Sequence, residues 1–132
     1  MTIAEVSKQY ELSADTLRYY ERIGLIPPVP RNKSGIRDYN EESCRWIELM
    51  KCMRRAGVQI EALIEYVALF QQGDATIDAR KAVLIEQRNH LMERMEDMQA
   101  SLNRLNLKIE HYEQGLMTTE KQLQKLREAD NG

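Results

Sequence analysis

The stretch Ser13-Ala-Asp-Thr-Leu-Arg-Tyr-Tyr-Glu-Arg-Ile-Gly-Leu25 decides how this chain is read. It opens on a serine that can accept the first N–H groups of a helix. It closes on Gly24, a residue free to take the left-handed conformation that stops one. Between them Arg18, Tyr19, Tyr20 and Arg22 crowd cations and aromatic donors onto one short element, the chemistry of a helix presented to a nucleic acid. Toward the N-terminus, Thr2 and Glu5 stand at capping-box spacing, with Ile3, Val6 and Tyr10 at helical intervals and a turn at Glu11-Leu12. Two short helices around a tight turn predict a helix-turn-helix whose second helix is the reader. Beyond it Pro27, Pro28 and Pro30 forbid helix. The basic cluster Arg31–Tyr39 predicts a small hairpin, a wing, around Lys33-Ser34-Gly35.

Further along, Asn40 is placed to cap a helix carrying Trp46, Ile47, Leu49, Met50 and Met53 and ending near Gly57. Val58 to Gln72 predicts another, with an apolar stripe of Ile60, Leu63, Ile64, Val67 and Phe70. From Ile77 the pattern becomes a heptad. One position holds Ile77, Leu84, Leu91, Met98, Leu105 and Tyr112; the other holds Lys81, Arg88, Met95, Leu102, Ile109 and Leu116. Such a repeat predicts a coiled coil, and a single helix cannot bury its own seam, so a second copy of the chain is expected. In a parallel pair Lys81 and Arg88 would face their own copies, whereas an antiparallel pair brings them near Glu110 and Glu113. Thr118 to Arg127 is expected to form a short final helix. The division is therefore 1–73, the DNA-binding part with its linking helical pair, and 74–132, the dimerisation helix with that final piece.

Composition narrows the function. The net charge of -2 hides a polarity: residues 1–57 hold ten Lys/Arg against eight Asp/Glu, and residues 58–132 hold nine against thirteen. A mildly basic head on an acidic stalk suits a DNA-binding protein. No apolar run reaches membrane-spanning length and no signal-peptide core is present, so the expected location is cytoplasmic, with reduced thiols and no membrane partner. No converging acid, base and nucleophile set points to an enzyme. Cys44 and Cys52 are eight residues apart on one predicted helix, roughly 12 Å, too far for a disulfide. Neither has a Cys or His neighbour at metal-ligand spacing, so no metal and no cofactor is expected. His90 and His111 are expected as solvated stalk residues.

The run T-L-R-Y-Y-E-R-I-G-L-I from Thr16, followed by the Pro-rich link, G-I-R-D-Y ending at Tyr39 and R-A-G-V ending at Val58, resembles the MerR family of bacterial transcription regulators. The resemblance implies a mainly α fold: a winged helix-turn-helix followed by a long antiparallel coiled-coil helix. It implies a homodimer that binds double-stranded promoter DNA and bends and untwists it so that RNA polymerase can engage the promoter. On this chain the expected DNA contacts are Thr16, Arg18, Tyr19 and Tyr20 on the second helix, Arg37 and Tyr39 on the wing, and Arg54. Tyr20 could instead pack against Leu17 in the core.

The string Trp46-Ile-Glu-Leu-Met-Lys-Cys-Met-Arg-Arg-Ala-Gly57 resembles the aldehyde- and nitrosative-stress branch of the family, which carries one sensing cysteine at this place, here Cys52. Lys51, Arg54 and Arg55 would favour its thiolate, and the C-terminal end of the helix dipole would oppose it. The alternative for Cys52 is a buried thiol acting as a small hydrophobe. The absence of cysteine after position 52 separates the chain from metal-sensing relatives. The alternatives for the chain as a whole are a helical interaction or scaffold protein, or a regulator of the same type with another signal and a structural Cys52.

Overall fold

The computed structural model of the chain describes residues 1–131, and the side chains among them apart from those of 116–119, 130 and 131. Leu116 of the expected seam and Thr118 of the expected final helix thus have no described side chain. The elements are α1 (Ile3–Tyr10), α2 (Ala14–Arg22), α3 (Glu41–Arg55), α4 (Ile60–Gln71), a 3-10 turn (Asp74–Thr76) and α5 (Ile77–Asn131). Residues 1–91 form one compact unit and residues 92–132 a second.

In the first unit the caps act as the residue types dictate. Thr2 and Glu5 make a reciprocal capping box on α1. Ser13 accepts from the Thr16 N–H on α2, and Asn40 from the Ser43 N–H on α3. Glu11, with φ of 55°, ends α1 in the left-handed region and turns the chain into α2. Gly24 and Gly57 each close a Schellman turn. Leu25 N–H donates to the Tyr20 carbonyl, and Val58 N–H to the Met53 carbonyl. Val58 therefore belongs to the turn that closes α3, and α4 begins at Ile60, the first residue of its apolar stripe, two residues later than the expected start at Val58.

Val6, Leu17, Tyr20, Leu25, Ile26, Val29, Tyr39, Ile47, Met50, Leu63 and Val67 form one buried cluster joining α1 to α4, the Pro-rich link and the wing exit. Each full burial of a Leu or Ile is worth about 1.5–3 kcal/mol, which is why these short helices hold together. Trp46 packs edge-on to Phe70 at 4.9 Å and joins α3 to α4. The α4–α5 corner is stapled by Thr76, whose hydroxyl donates to the Leu69 carbonyl at 2.6 Å, and by Arg80, which lies over the Phe70 ring and donates to the Thr76 hydroxyl.

The wing is smaller than a hairpin. Among the described residues it has a single antiparallel bridge, Arg31 to Arg37. Asn32 shapes its tip by accepting from the Ser34 and Ile36 N–H groups. One step further out Asp38 N–H reaches the Pro30 carbonyl at 2.7 Å, and Pro30 has no N–H to return. The ladder stops there.

The second unit is helical, and among its described residues Met95, Met98, Leu102, Leu105, Ile109 and Tyr112 are all exposed. The separate final helix expected from Thr118 is not formed, because α5 continues to Asn131. Gly115 is the one helix-breaking residue type near that point. It keeps a helical φ, and a single interior glycine costs about 1 kcal/mol, too little by itself to end a helix.

Candidate nucleic-acid interface and the Cys52 neighbourhood

Helical spacing gives α2 two faces. Leu17 and Tyr20 point into the core, while Asp15, Arg18, Tyr19 and Arg22 are exposed one turn apart. Arg18 makes an exposed ion pair with Asp15 at 3.0 Å, and the Arg22 guanidinium lies 5.3 Å from the centre of the Tyr19 ring. Exposed pairs of this kind are weak and exchange readily for a phosphate. Thr16 is half-buried, and its hydroxyl accepts from Ser13 at 2.8 Å.

Tyr20 takes the core alternative. Its ring packs in the cluster with Leu17, and burial pushes its phenol up while the Arg54 charge opposes that. Tyr39 differs from the expectation that it grips a DNA backbone. It is 1% exposed, and its hydroxyl is enclosed with no hydrogen-bond partner among the described residues. An aromatic ring that leaves the wing into the buried cluster gains more from burial than from standing in water, so Tyr39 anchors the wing from inside. Burial pushes its phenol up, against the charge of Arg37 and the weaker effects of Arg18 and Arg31, while the Glu21 charge adds to the rise.

Arg37 is held by α2. Its Nε–H donates to Oε1 of Glu21 at 2.6 Å, and Oε2 of the same carboxylate accepts from Val29 N–H at 2.7 Å. Burial opposes ionisation of Glu21, but the Arg37 and Val29 hydrogen bonds and the Arg37 and Arg31 charges outweigh it and hold the carboxyl below its ordinary value. Arg54, at the end of α3, donates from one terminal nitrogen to the Val58 carbonyl at 3.1 Å and so braces the turn between α3 and α4. Glu21 escaped the reading of single residues, although it is the lone acid between Arg18 and Arg22; Arg22 was singled out for its charge but given no contact of its own.

Cys52 lies apart from this surface, facing α1. Gln9, Tyr10, Glu48, Lys51, Cys52 and Arg55 line an open cleft of about 310 Å³. Cys52 is exposed, which removes the alternative of a thiol packed as a small hydrophobe, whereas Cys44 is buried near the Met1 sulfur. Of the three cations expected to serve Cys52, Lys51, which donates to the Tyr10 carbonyl, and Arg55 both line the cleft, whereas Arg54 is not among its lining residues and donates to the Val58 carbonyl. Among the described residues no three His, Cys, Asp or Glu side chains are grouped to hold a metal ion, and no helix is long and apolar enough to cross a membrane.

Similar sequences and folds occur in known regulators. A family model described as MerR HTH family regulatory protein matches residues 1–69. The HTH-type transcriptional regulator AdhR of Bacillus subtilis (strain 168) is 62% identical over 93 residues, 70% of this chain and 66% of that protein. The match thus spans just under two thirds of that relative. A MerR family transcriptional regulator from Listeria monocytogenes superposes with a TM-score of 0.90 at 47% identity, covering 96% of both chains. HiNmlR, a MerR family regulator lacking the sensor domain and solved bound to promoter DNA, superposes with a TM-score of 0.76 at 26% identity, covering 86% of this chain and 90% of that one. The chain belongs to the MerR family of helix-turn-helix, DNA-binding transcriptional regulators.

Proposed function

We propose that this regulator binds promoter DNA as a homodimer, distorts it to control transcription by RNA polymerase, and responds to aldehydes or similar electrophiles through Cys52. The observation that carries the DNA reading is the exposed face of α2. Arg18, Tyr19 and Arg22 stand together there, with Arg37 fastened beside them through Glu21. In this reading residues 1–73 read DNA and residues 74–132 pair the chains. Thr16, Arg18 and Tyr19 meet the major groove, while Arg37 and the remaining N–H groups of Arg54 meet phosphates. Tyr20 and Tyr39 hold that surface from the core. The reading is supported by the likeness to HiNmlR, which is itself bound to promoter DNA.

Pairing is supported by the uncovered seam. Leaving Met98, Leu102, Leu105 and Tyr112 in water forfeits roughly 25 cal/mol per Å² of apolar surface, and a second helix recovers it. An antiparallel arrangement fits the charges, since it sets Lys81 and Arg88 against Glu110 and Glu113.

The electrophile reading rests on the exposed thiol in a cleft at the α1–α3 junction. An adduct there adds bulk next to the helix that leads from the wing, and so biases two states of the protein on DNA. A mobility-shift assay with the duplex upstream of the chain's own gene tests the DNA reading. Retention of that duplex over a scrambled one, weakening as salt rises, is the expected result. Equal binding to both duplexes contradicts it.

A further inference from the structure

A carboxylate next to a surface that meets a polyanion opposes binding by simple Coulomb repulsion. Glu21 is such a carboxylate, with its side chain 13% exposed on the reading helix. Its two oxygens are divided between two other parts of the fold. Oε1 takes the Nε–H of Arg37 on the wing at 2.6 Å, and Oε2 takes the Val29 N–H in the Pro-rich link at 2.7 Å. α2, the link and the wing therefore meet at one side chain. A guanidinium has five N–H donors in a rigid fork. With Nε–H spent on Glu21, the four on the two terminal nitrogens make no bond among the described residues, and the side chain remains 25% exposed.

We propose, on the reading that Arg37 contacts a DNA phosphate, that Glu21 is a positioning residue for DNA binding: its carboxylate aims the Arg37 fork and fixes the wing in one register against α2. The wing needs such a fastening. It has one bridge of its own, its tip residue Ile36 is exposed, and no strand ladder stiffens it. Preorganising a long, rotamer-rich side chain removes an ordering cost that would otherwise fall on binding.

Charge and position predict opposite signs, which makes the test clean. Removing a negative charge beside DNA strengthens binding if charge is all that matters, and weakens it if Glu21 aims Arg37. The full-length protein and its Glu21→Gln, Arg37→Ala, Arg37→Lys and Glu21→Gln/Arg37→Ala variants are titrated with the upstream duplex at several salt concentrations. Each is first checked for folding by circular dichroism and for dimer by sedimentation. Glu21→Gln is expected to weaken binding by roughly tenfold, and the double variant to bind as Arg37→Ala does, the non-additivity of groups acting as a unit. Arg37→Lys keeps the charge but lacks the fork, so it too should lose binding, and this arm stands even if Glu21→Gln does not fold. Unchanged or tighter binding in Glu21→Gln, or wild-type binding in Arg37→Lys, with Arg37→Ala weakened, overturns the positioning role and leaves the phosphate contact standing. Wild-type binding in Arg37→Ala overturns the contact itself, and the positioning role with it.

Discussion

Lys51 donates from its ammonium to the main-chain carbonyl of Tyr10 at 2.5 Å, tying the last turn of α1 to α3 next to Cys52. The bond satisfies a carbonyl that the end of α1 leaves without a helical partner. It also makes the junction at which Cys52 sits a contact between the helix-turn-helix and the helix leading from the wing. Bulk added in the cleft presses on that contact.

The DNA surface is tested most simply by single truncations. Arg18→Ala and Arg37→Ala should each weaken binding to the upstream duplex. For Arg37, proposed to meet a phosphate, the loss should be similar across sequences, with the salt dependence flattened by about one unit of slope. Arg18 lies on the exposed face of α2, so its loss should also relax discrimination between duplexes. Titration at three or more salt concentrations checks both, and unchanged binding in both variants rules the placement out.

The proposed dimerisation depends on the seam of α5. Leu102→Glu places a charge where a partner helix would desolvate it, at a cost of several kcal/mol. The variant should sediment as a monomer or unfold, and promoter binding should vanish with the dimer. A monomeric wild type at micromolar concentration contradicts the pairing.

Tyr39→Phe removes the enclosed, unpartnered hydroxyl and keeps the ring that anchors the wing. Because a buried polar group without a partner costs about 1–3 kcal/mol, the variant should be as stable as the wild type or more stable, by up to about 1 kcal/mol. Thermal and denaturant unfolding read this directly. A clear loss of stability means that the hydroxyl is bonded in solution.

The Glu21–Arg37 pair also sets a pH dependence. The folded Glu21 carboxyl lies below its ordinary value of 4.5, so its contribution to stability is present above that value. It is lost as the pH falls through the folded value. Glu21→Gln should therefore be less stable than the wild type near neutrality, and the gap should narrow below about pH 4.5. Denaturant unfolding from pH 7 to pH 3 follows it, and a gap that does not change with pH removes the ion pair as its cause.

Much of this was legible in the residues because local chemistry decided it. The capping box of Thr2 and Glu5, the Ser13 and Asn40 caps and the stops at Gly24 and Gly57 each depend on a few neighbouring positions. The seam of α5 followed from a repeat that no other element could absorb. What escaped required knowledge of distant partners. Tyr39 resembled a surface donor in sequence, but it is buried in a cluster whose members range from Val6 to Val67 along the chain. Glu21 looked like an ordinary surface acid until Arg37, 16 residues away, was placed against it. The final helix was expected as a separate piece, Thr118 to Arg127, that would cap the coil, but α5 runs on to Asn131, with no proline in that stretch to break it.

The most direct measurement is transcription from the chain's own promoter with purified RNA polymerase and wild-type, Cys52→Ala or Cys44→Ala protein, each with and without an added aldehyde. Wild type and Cys44→Ala should both change promoter output when aldehyde is added, since Cys44 is buried away from the cleft. Cys52→Ala should still bind the promoter, with its output unmoved by aldehyde. A full aldehyde response in Cys52→Ala would contradict the assignment of the signal to this residue.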